Sequence, residues 1–137
     1  MRSSQELVRQ LFDAFNRGDV PAQIALLHED YDWRPAFTGG GLVEGRSYTG
    51  HEGFREYLSQ QSETWAEINL TIEEMQDIND ASVLVFAKIH ARGHHGVSVE
   101  QPFGGIWTLR EGRFSRAHVY STREAAKAAA GLSSAES

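Results

Sequence analysis

The chain of 137 residues contains no cysteine. Disulfides, zinc–thiolate sites and cysteine nucleophiles are therefore excluded, and the absence suits a reducing compartment. No basic run occurs, and the net charge is −6, so a nucleic acid partner is not expected. An anionic membrane surface has no basic patch to attract it. No apolar run approaches the roughly 20 residues of a membrane span. The opening Met1-Arg2-Ser3-Ser4-Gln5-Glu6 lacks the apolar core of a signal peptide. Together these absences predict a cytoplasmic protein without nucleic acid or membrane partners.

What is present suits one domain. The length allows one core, and the hydrophobic fraction of 40% and charged fraction of 23% are ordinary for a globular chain. Leu7, Val8, Leu11, Phe12 and Phe15 recur at helical spacing and predict a first helix ending near Gly18. Asp19 and Pro21 suit the start of a second, with Ile24 and Leu27 on its buried side. Asp30-Tyr31-Asp32-Trp33-Arg34-Pro35 alternates as a short strand with Tyr31 and Trp33 on one face. Thr38-Gly39-Gly40-Gly41 opens a loop running to about Gly50, a candidate entrance flap. A Lys-Ser/Thr pair at phosphate-loop spacing does not follow it. A third helix begins at Thr49 or Gly50, with Phe54, Tyr57, Leu58 and Trp65 on one stripe. Strands are expected over 67–78, 81–92, 97–109 and 113–120, joined by Asn79-Asp80, by Gly93-His94-His95-Gly96 and by Arg110-Glu111-Gly112. A last helix has a capping box in Ser121 and Glu124 and stops at Gly131. The expected domain spans 1–132, with 133–137 a disordered tail.

The last hairpin permits a register argument. With Glu111-Gly112 as a two-residue turn and regular pairing, Trp107 faces Arg116, Gly105 faces His118 and Gly104 faces Val119. One face then collects Ile106, Thr108, Ala117 and Val119. The other collects Phe103, Trp107, Leu109, Phe114, Arg116, His118 and Tyr120. A one-residue slip, for which a bulge at Gly104-Gly105 is the candidate, would reverse the last strand.

The element order α-α-β-α-β-β-β-β, with a glycine-rich loop before the third helix, resembles the SnoaL-like branch of the nuclear transport factor 2-like superfamily. The stretches that carry the resemblance are Leu11-Phe12-Asp13-Ala14-Phe15-Asn16-Arg17-Gly18-Asp19, Tyr48-Thr49-Gly50-His51-Glu52-Gly53-Phe54 and Trp107-Thr108-Leu109-Arg110-Glu111-Gly112-Arg113-Phe114. It implies an α+β fold, a cone-shaped barrel of curved, mainly antiparallel sheet wrapped around helices, often homodimeric through the outer sheet face. It also implies a pocket for a small hydrophobic, cyclic or polyketide-like molecule. Cofactor-free acid–base isomerisation, cyclisation or hydrolysis is the chemistry of its enzymes, and non-catalytic binders or dimeric scaffolds are the alternative. Polyketide cyclases and epoxide hydrolases of this fold carry an essential aspartate on the last strand, where this chain has Val119.

The candidate proton-transfer residues are His118, His90 and Gln101, the first two because imidazole titrates near neutrality. Gln101 would orient a carbonyl or a water. His90 shares a strand face with Lys88 and Arg92, which also fits a solvated stripe. The candidate ligand-binding residues are Tyr31, Trp33, Phe37, Phe54, Tyr57, Phe103, Trp107 and Val119, an aromatic set drawn from several elements. Asp32 and Glu100 are the nearest acids, with Asp32 expected to face away from Tyr31 and Trp33. His94 and His95 share a tight turn and point apart, so no metal site is expected. His28 and His51 are assigned structural places. No cofactor motif is present.

Overall fold

The computed structural model describes residues 3–38, 41–42 and 47–131. Four helices, α1 (Ser4–Asn16), α2 (Val20–Ala25), α3 (Gly50–Thr64) and α4 (Arg123–Ala129), accompany eight strands. These are β1 (Leu27–Arg34), β2 (Phe37–Thr38), β3 (Gly41–Leu42), β4 (Tyr48–Thr49), β5 (Trp65–Asp77), β6 (Ser82–Gly93), β7 (Ser98–Arg110) and β8 (Arg113–Tyr120). Six strands form one curled, unclosed sheet in the order β4-β1-β8-β7-β6-β5, and β2 and β3 form a small separate ribbon. Only the β1–β8 pairing is parallel among these ladders. The expected α+β architecture, curved sheet around helices, is the one observed. The expected flap lies largely outside the described residues, as do Leu132 and the tail 133–137.

Local chemistry sets the element ends. Ser3 caps α1 by accepting the Glu6 N–H, and Asp19 caps α2 by accepting that of Ala22. Gly18 takes the left-handed conformation (φ 69°) that turns the chain between these helices. Leu27, expected on the second helix, instead starts β1, because α2 is only six residues long. Trp65 likewise opens β5 rather than closing α3. Asn79 Oδ1 accepts the N–H groups of Ala81 and Ser82 at 2.8 and 2.9 Å, fixing the β5–β6 turn. The cap of α4 falls one residue later than expected: Thr122, not Ser121, accepts the Ala125 N–H.

The sheet has two apolar faces. On the inner face Val83, Val85 and Ala87 join Phe103, Trp107, Phe114, Ala117 and Val119 under α1 and α3. The end of α1 is clamped to edge strand β5. There Asn16 Nδ2 donates to the Leu70 carbonyl at 2.9 Å, and Asn16 Oδ1 accepts the Leu70 N–H at 2.8 Å. On the outer face Leu84 and Phe86 pack with Ala126 of α4. The outer surface beyond α4 is ionic: Glu73 meets both Arg123 and Lys88, and Lys88 and His90 meet Glu100. No helix among the described residues is long and apolar enough to cross a membrane.

The β7–β8 hairpin corrects the register expected from the sequence. Glu111 and Gly112 do form a two-residue turn, both with positive φ (56° and 79°). Leu109 pairs with Phe114, but Thr108 then pairs with Arg116, so Ser115 is an extra residue. Trp107 therefore faces Ala117, Ile106 faces His118 and Gly105 faces Val119. The bulge sits at Ser115, not at Gly104-Gly105, and Ser115 Oγ donates to the Thr108 carbonyl at 3.3 Å. Trp107 and Phe114, which the regular register sets on one face with Arg116 and His118, are 3% and 0% exposed and lie in the core.

Gly104 is where α4 seats on the sheet. A Cβ there would lie 2.7 Å from Ala126 Cβ and 3.2 Å from the Phe86 ring. Gly104→Ala is expected to lower stability by about 1–3 kcal/mol through overpacking. Urea unfolding of G104A, A126G and the double variant forms the check. The double variant should recover part of the loss as non-additivity, and a G104A chain as stable as wild type would mean that α4 tolerates displacement.

Candidate functional site

A cavity of about 60 Å³ lies between the helices and the inner sheet face. Helix α1 supplies Leu11, Phe12 and Phe15, and α2 supplies Gln23. Strand β1 contributes Tyr31 and Trp33, followed by Pro35 and Ala36, and α3 contributes Phe54 and Tyr57. The remaining wall is sheet: Ile68, Leu70, Ile89, Phe103, Trp107 and Val119. The spacing of Phe54 and Tyr57 turns both inward from α3, while strand alternation does the same for Tyr31 and Trp33.

Several of the aromatic side chains meet edge to face, while Trp33 and Trp107 are tilted by 39°. Trp33 meets Phe54 at 6.0 Å, Tyr57 at 5.3 Å and Trp107 at 6.3 Å between ring centroids. Phe12 meets Trp107 edge-on at 5.2 Å. Edge-to-face packing of this kind fixes ring planes as well as filling space. Gly105 makes the Trp107 position possible, because a Cβ there would lie 2.6 Å from the indole.

The polar groups of the lining are few. Among the described residues three buried side-chain atoms lack a hydrogen-bond partner, namely Trp33 Nε1, Trp107 Nε1 and Gln23 Oε1, and all three residues line this cavity. Gln23 Nε2 donates to the Asp19 carbonyl at 3.3 Å. The only ionisable lining groups among the described residues are the phenols of Tyr31 and Tyr57. Burial pushes Tyr31 well above the usual phenol range, with the neighbouring Tyr57 adding to the effect. The Trp107 indole opposes that shift from close by, without reaching hydrogen-bonding geometry. Burial, then Tyr48, likewise pushes Tyr57 upward. Both phenols are therefore neutral donors near pH 7, not bases.

Seven of the eight residues expected to contact a ligand line this cavity: Tyr31, Trp33, Phe54, Tyr57, Phe103, Trp107 and Val119. The eighth, Phe37, belongs to β2, and its side chain lies outside the described residues. The residues expected to move protons stand elsewhere. His118 lies on the outer face beside Ile106 and Arg34, stacked on Tyr120 at 4.2 Å with its Nδ1 3.1 Å from the Tyr120 hydroxyl. The Ser115 bulge puts it there. His90 also faces outward, with Nδ1 3.1 Å from Glu100. Gln101 is opposite Ile89 but is not part of the lining. Asp32 pairs with Arg34, and Glu100 with Lys88 and His90. His94 Nε2 donates to the Ser62 carbonyl, and His51 Nε2 to that of Leu27. No group of three or more metal-ligating side chains gathers among the described residues.

Sequence reasoning missed Gln23, Phe15 and the β5 residues Ile68 and Leu70 as lining. Phe15 sits on the apolar stripe of α1 and was legible only as core. Gln23 gave one signal, a polar residue next to Ile24 on a helix too short to have a solvent side throughout.

Comparison with known proteins follows from this geometry. The family model described as a SnoaL-like domain matches residues 8–117. The chain belongs to that family. No curated relative matches the sequence. Among solved structures, TerC co-crystallised with polyporic acid is 21% identical, covering 93% of this chain and 97% of its own, with a TM-score of 0.74. A putative polyketide cyclase from Pseudomonas putida is 22% identical, covering 90% and 94%, with a TM-score of 0.75. A Mycobacterium tuberculosis protein in complex with estradiol-17β-hemisuccinate is 14% identical, covering 87% and 94%, also with a TM-score of 0.75. At these identities the likeness establishes the shared fold.

The raised phenols predict a pH dependence. Folded-state values above the unfolded value of about 10 leave stability unaffected below that pH. Above it the unfolded chain loses these protons more readily, so stability falls as pH rises towards the folded values. In an absorbance titration at 295 nm, Tyr31→Phe and Tyr57→Phe should each remove a phenol that ionises only on alkaline unfolding. The double variant should lose stability less steeply above pH 10 than wild type. Ionisation of all four tyrosines in the folded chain at pH 10 would contradict the burial argument.

Proposed function

We propose that this SnoaL-like chain binds a small, mainly hydrophobic cyclic molecule in the cavity between α1, α3 and the inner sheet face. The observation that carries the reading is the lining itself, aromatic and aliphatic throughout, with only a few inward polar atoms. That composition is the usual one for small-molecule sites. The complexes of TerC with polyporic acid and of the Mycobacterium tuberculosis protein with a steroid ester support the reading from the same fold.

Binding is favoured over proton-transfer catalysis. A general base needs a pKa near the working pH and reach to the substrate proton. Among the described residues the lining offers neither carboxylate nor imidazole, and Val119, which the family resemblance sets at the place of the cyclase aspartate, lines the cavity as an aliphatic side chain. Isomerase or cyclase chemistry on this chain would have to rest on neutral donors alone.

The cavity is smaller than the roughly 150 Å³ apolar space that holds benzene. A ring-sized occupant therefore needs lining side chains to give way. An open groove shares Phe15, Gln23 and Ile68 with the cavity and offers the approach.

Toluene and naphthalene are the first probes. Either should raise the melting temperature and change the tryptophan emission, with about 1.4 kcal/mol of stabilisation at tenfold excess over Kd. Val119→Phe should fill the cavity and remove both responses while the variant still melts cooperatively. Wild-type protein insensitive to both probes would overturn the proposal.

A further inference from the structure

Three unsatisfied polar atoms belong to side chains that line one cavity, and they are the complete set of buried, unpartnered side-chain nitrogens and oxygens among the described residues. Each belongs to a side chain withdrawn from solvent: Trp33 is 8% exposed, Trp107 3% and Gln23 1%. A buried donor or acceptor left without a partner costs about 1–3 kcal/mol, and native proteins keep few of them. Chance does not favour gathering all three around the same space. Their chemistry is also specific. The two indoles can only donate, and the Gln23 amide, its nitrogen already engaged by Asp19, presents an acceptor.

We propose that the cavity selects a neutral ligand, one with a hydrogen-bond acceptor such as a ketone or ether oxygen set against the Trp33 and Trp107 N–H groups, and with any donor directed to Gln23. The inference rests on the binding reading above and goes beyond it by assigning the ligand's charge and polarity. An anion is disfavoured because the lining holds no lysine, arginine or histidine among the described residues to offset its desolvation. Arg34, on β1 next to Trp33, is turned to the outer face and engaged with Asp32. A cation is disfavoured because two of the three unpartnered groups are N–H donors, the third is a single neutral amide oxygen, and no carboxylate lines the wall among the described residues. Aromatic ring faces and that one oxygen would have to hold it. Water fills such sites by default, and an oxygen-bearing ligand replaces its hydrogen bonds where a hydrocarbon does not.

The test uses four probes of nearly one shape: cyclopentanone, its isostere methylenecyclopentane, cyclopentanecarboxylate and cyclopentylammonium. The chain has three tryptophans, so its ¹H–¹⁵N spectrum gives three indole resonances to follow in a titration. Trp65 lies in the open approach groove and not in the cavity lining, so its resonance separates groove contact from cavity binding. Cyclopentanone should shift the Trp33 and Trp107 resonances saturably and leave Trp65 in place. It should bind about tenfold more tightly than methylenecyclopentane, the ratio one net hydrogen bond supplies. Trp33→Phe and Trp107→Phe should each erase most of that ratio while retaining hydrocarbon binding. The wild-type comparison stands even where a variant fails to fold. Equal affinity for ketone and hydrocarbon would overturn the polarity assignment and leave the binding reading intact. Tightest binding of the carboxylate or the ammonium would overturn the neutral-ligand assignment. Failure of every probe to move the two cavity resonances would overturn the binding reading itself.

Discussion

One extra residue in β8 decides what this protein's interior is made of. In a regular hairpin from the Glu111-Gly112 turn, Arg116 would face Trp107 and His118 would face Gly105. A charged guanidinium and an imidazole would then project into the aromatic core. The bulge at Ser115 shifts the strand by one position and keeps Phe114, Ala117 and Val119 all inside. Burying an unpaired arginine costs far more than leaving one residue unpaired in a ladder, so the irregular pairing wins. Two further contacts hold the shift in place. The Phe114 N–H reaches the Leu26 carbonyl at 2.9 Å, and β1 runs parallel alongside with Trp33 opposite Ala117.

This is also where the legibility of the sequence ends. The strands and helices could be read because their signals are local: Leu7 to Phe15 repeat at helical spacing, Tyr31 and Trp33 alternate, and Asn79 and Gly112 mark turns. The bulge has no such mark. Ser115 is an ordinary strand residue, and its displacement is set by β1, whose pairing segment lies about eighty positions earlier in the chain. The same holds for α4. Its start was legible as a run of hydroxyl residues, but the choice of Thr122 over Ser121 depends on how Ala126 meets Gly104 across the sheet. Of the candidate site, much of the aromatic wall could be named from the sequence, while Phe12 and Phe15 were legible only as core. The orientation of two indole N–H groups and one amide was not, because it is fixed by side chains from four elements at once.

The two faces of the sheet carry opposite electrostatics as a result. Outside, Glu73, Lys88, His90, Glu100 and Arg123 form a ladder of partly exposed ion pairs. Such pairs are each worth little in solvent, yet they give His90, Glu73 and Glu100 partners away from the cavity. Inside, the only titratable groups lining the cavity among the described residues are two phenols kept neutral by burial. Strand alternation makes this partition rigid. No rotamer change brings His90 or His118 through the sheet, and only a register shift would, at the expense of the Phe114 and Val119 packing.

A sequence selected for stability alone would not leave the cavity as it is. Phenylalanine at positions 33 and 107 would keep most of the ring packing and remove two unsatisfied donors. Leucine in place of Gln23 would remove the stranded acceptor. Each present side chain therefore carries a stability cost that its packing does not require. Local departures from the most stable choice concentrate where function constrains a chain, and here they concentrate in one space of about 60 Å³. The cost would be offset only when those groups are satisfied together, which ties the tightness of the site to the polarity of its occupant rather than to its apolar area alone.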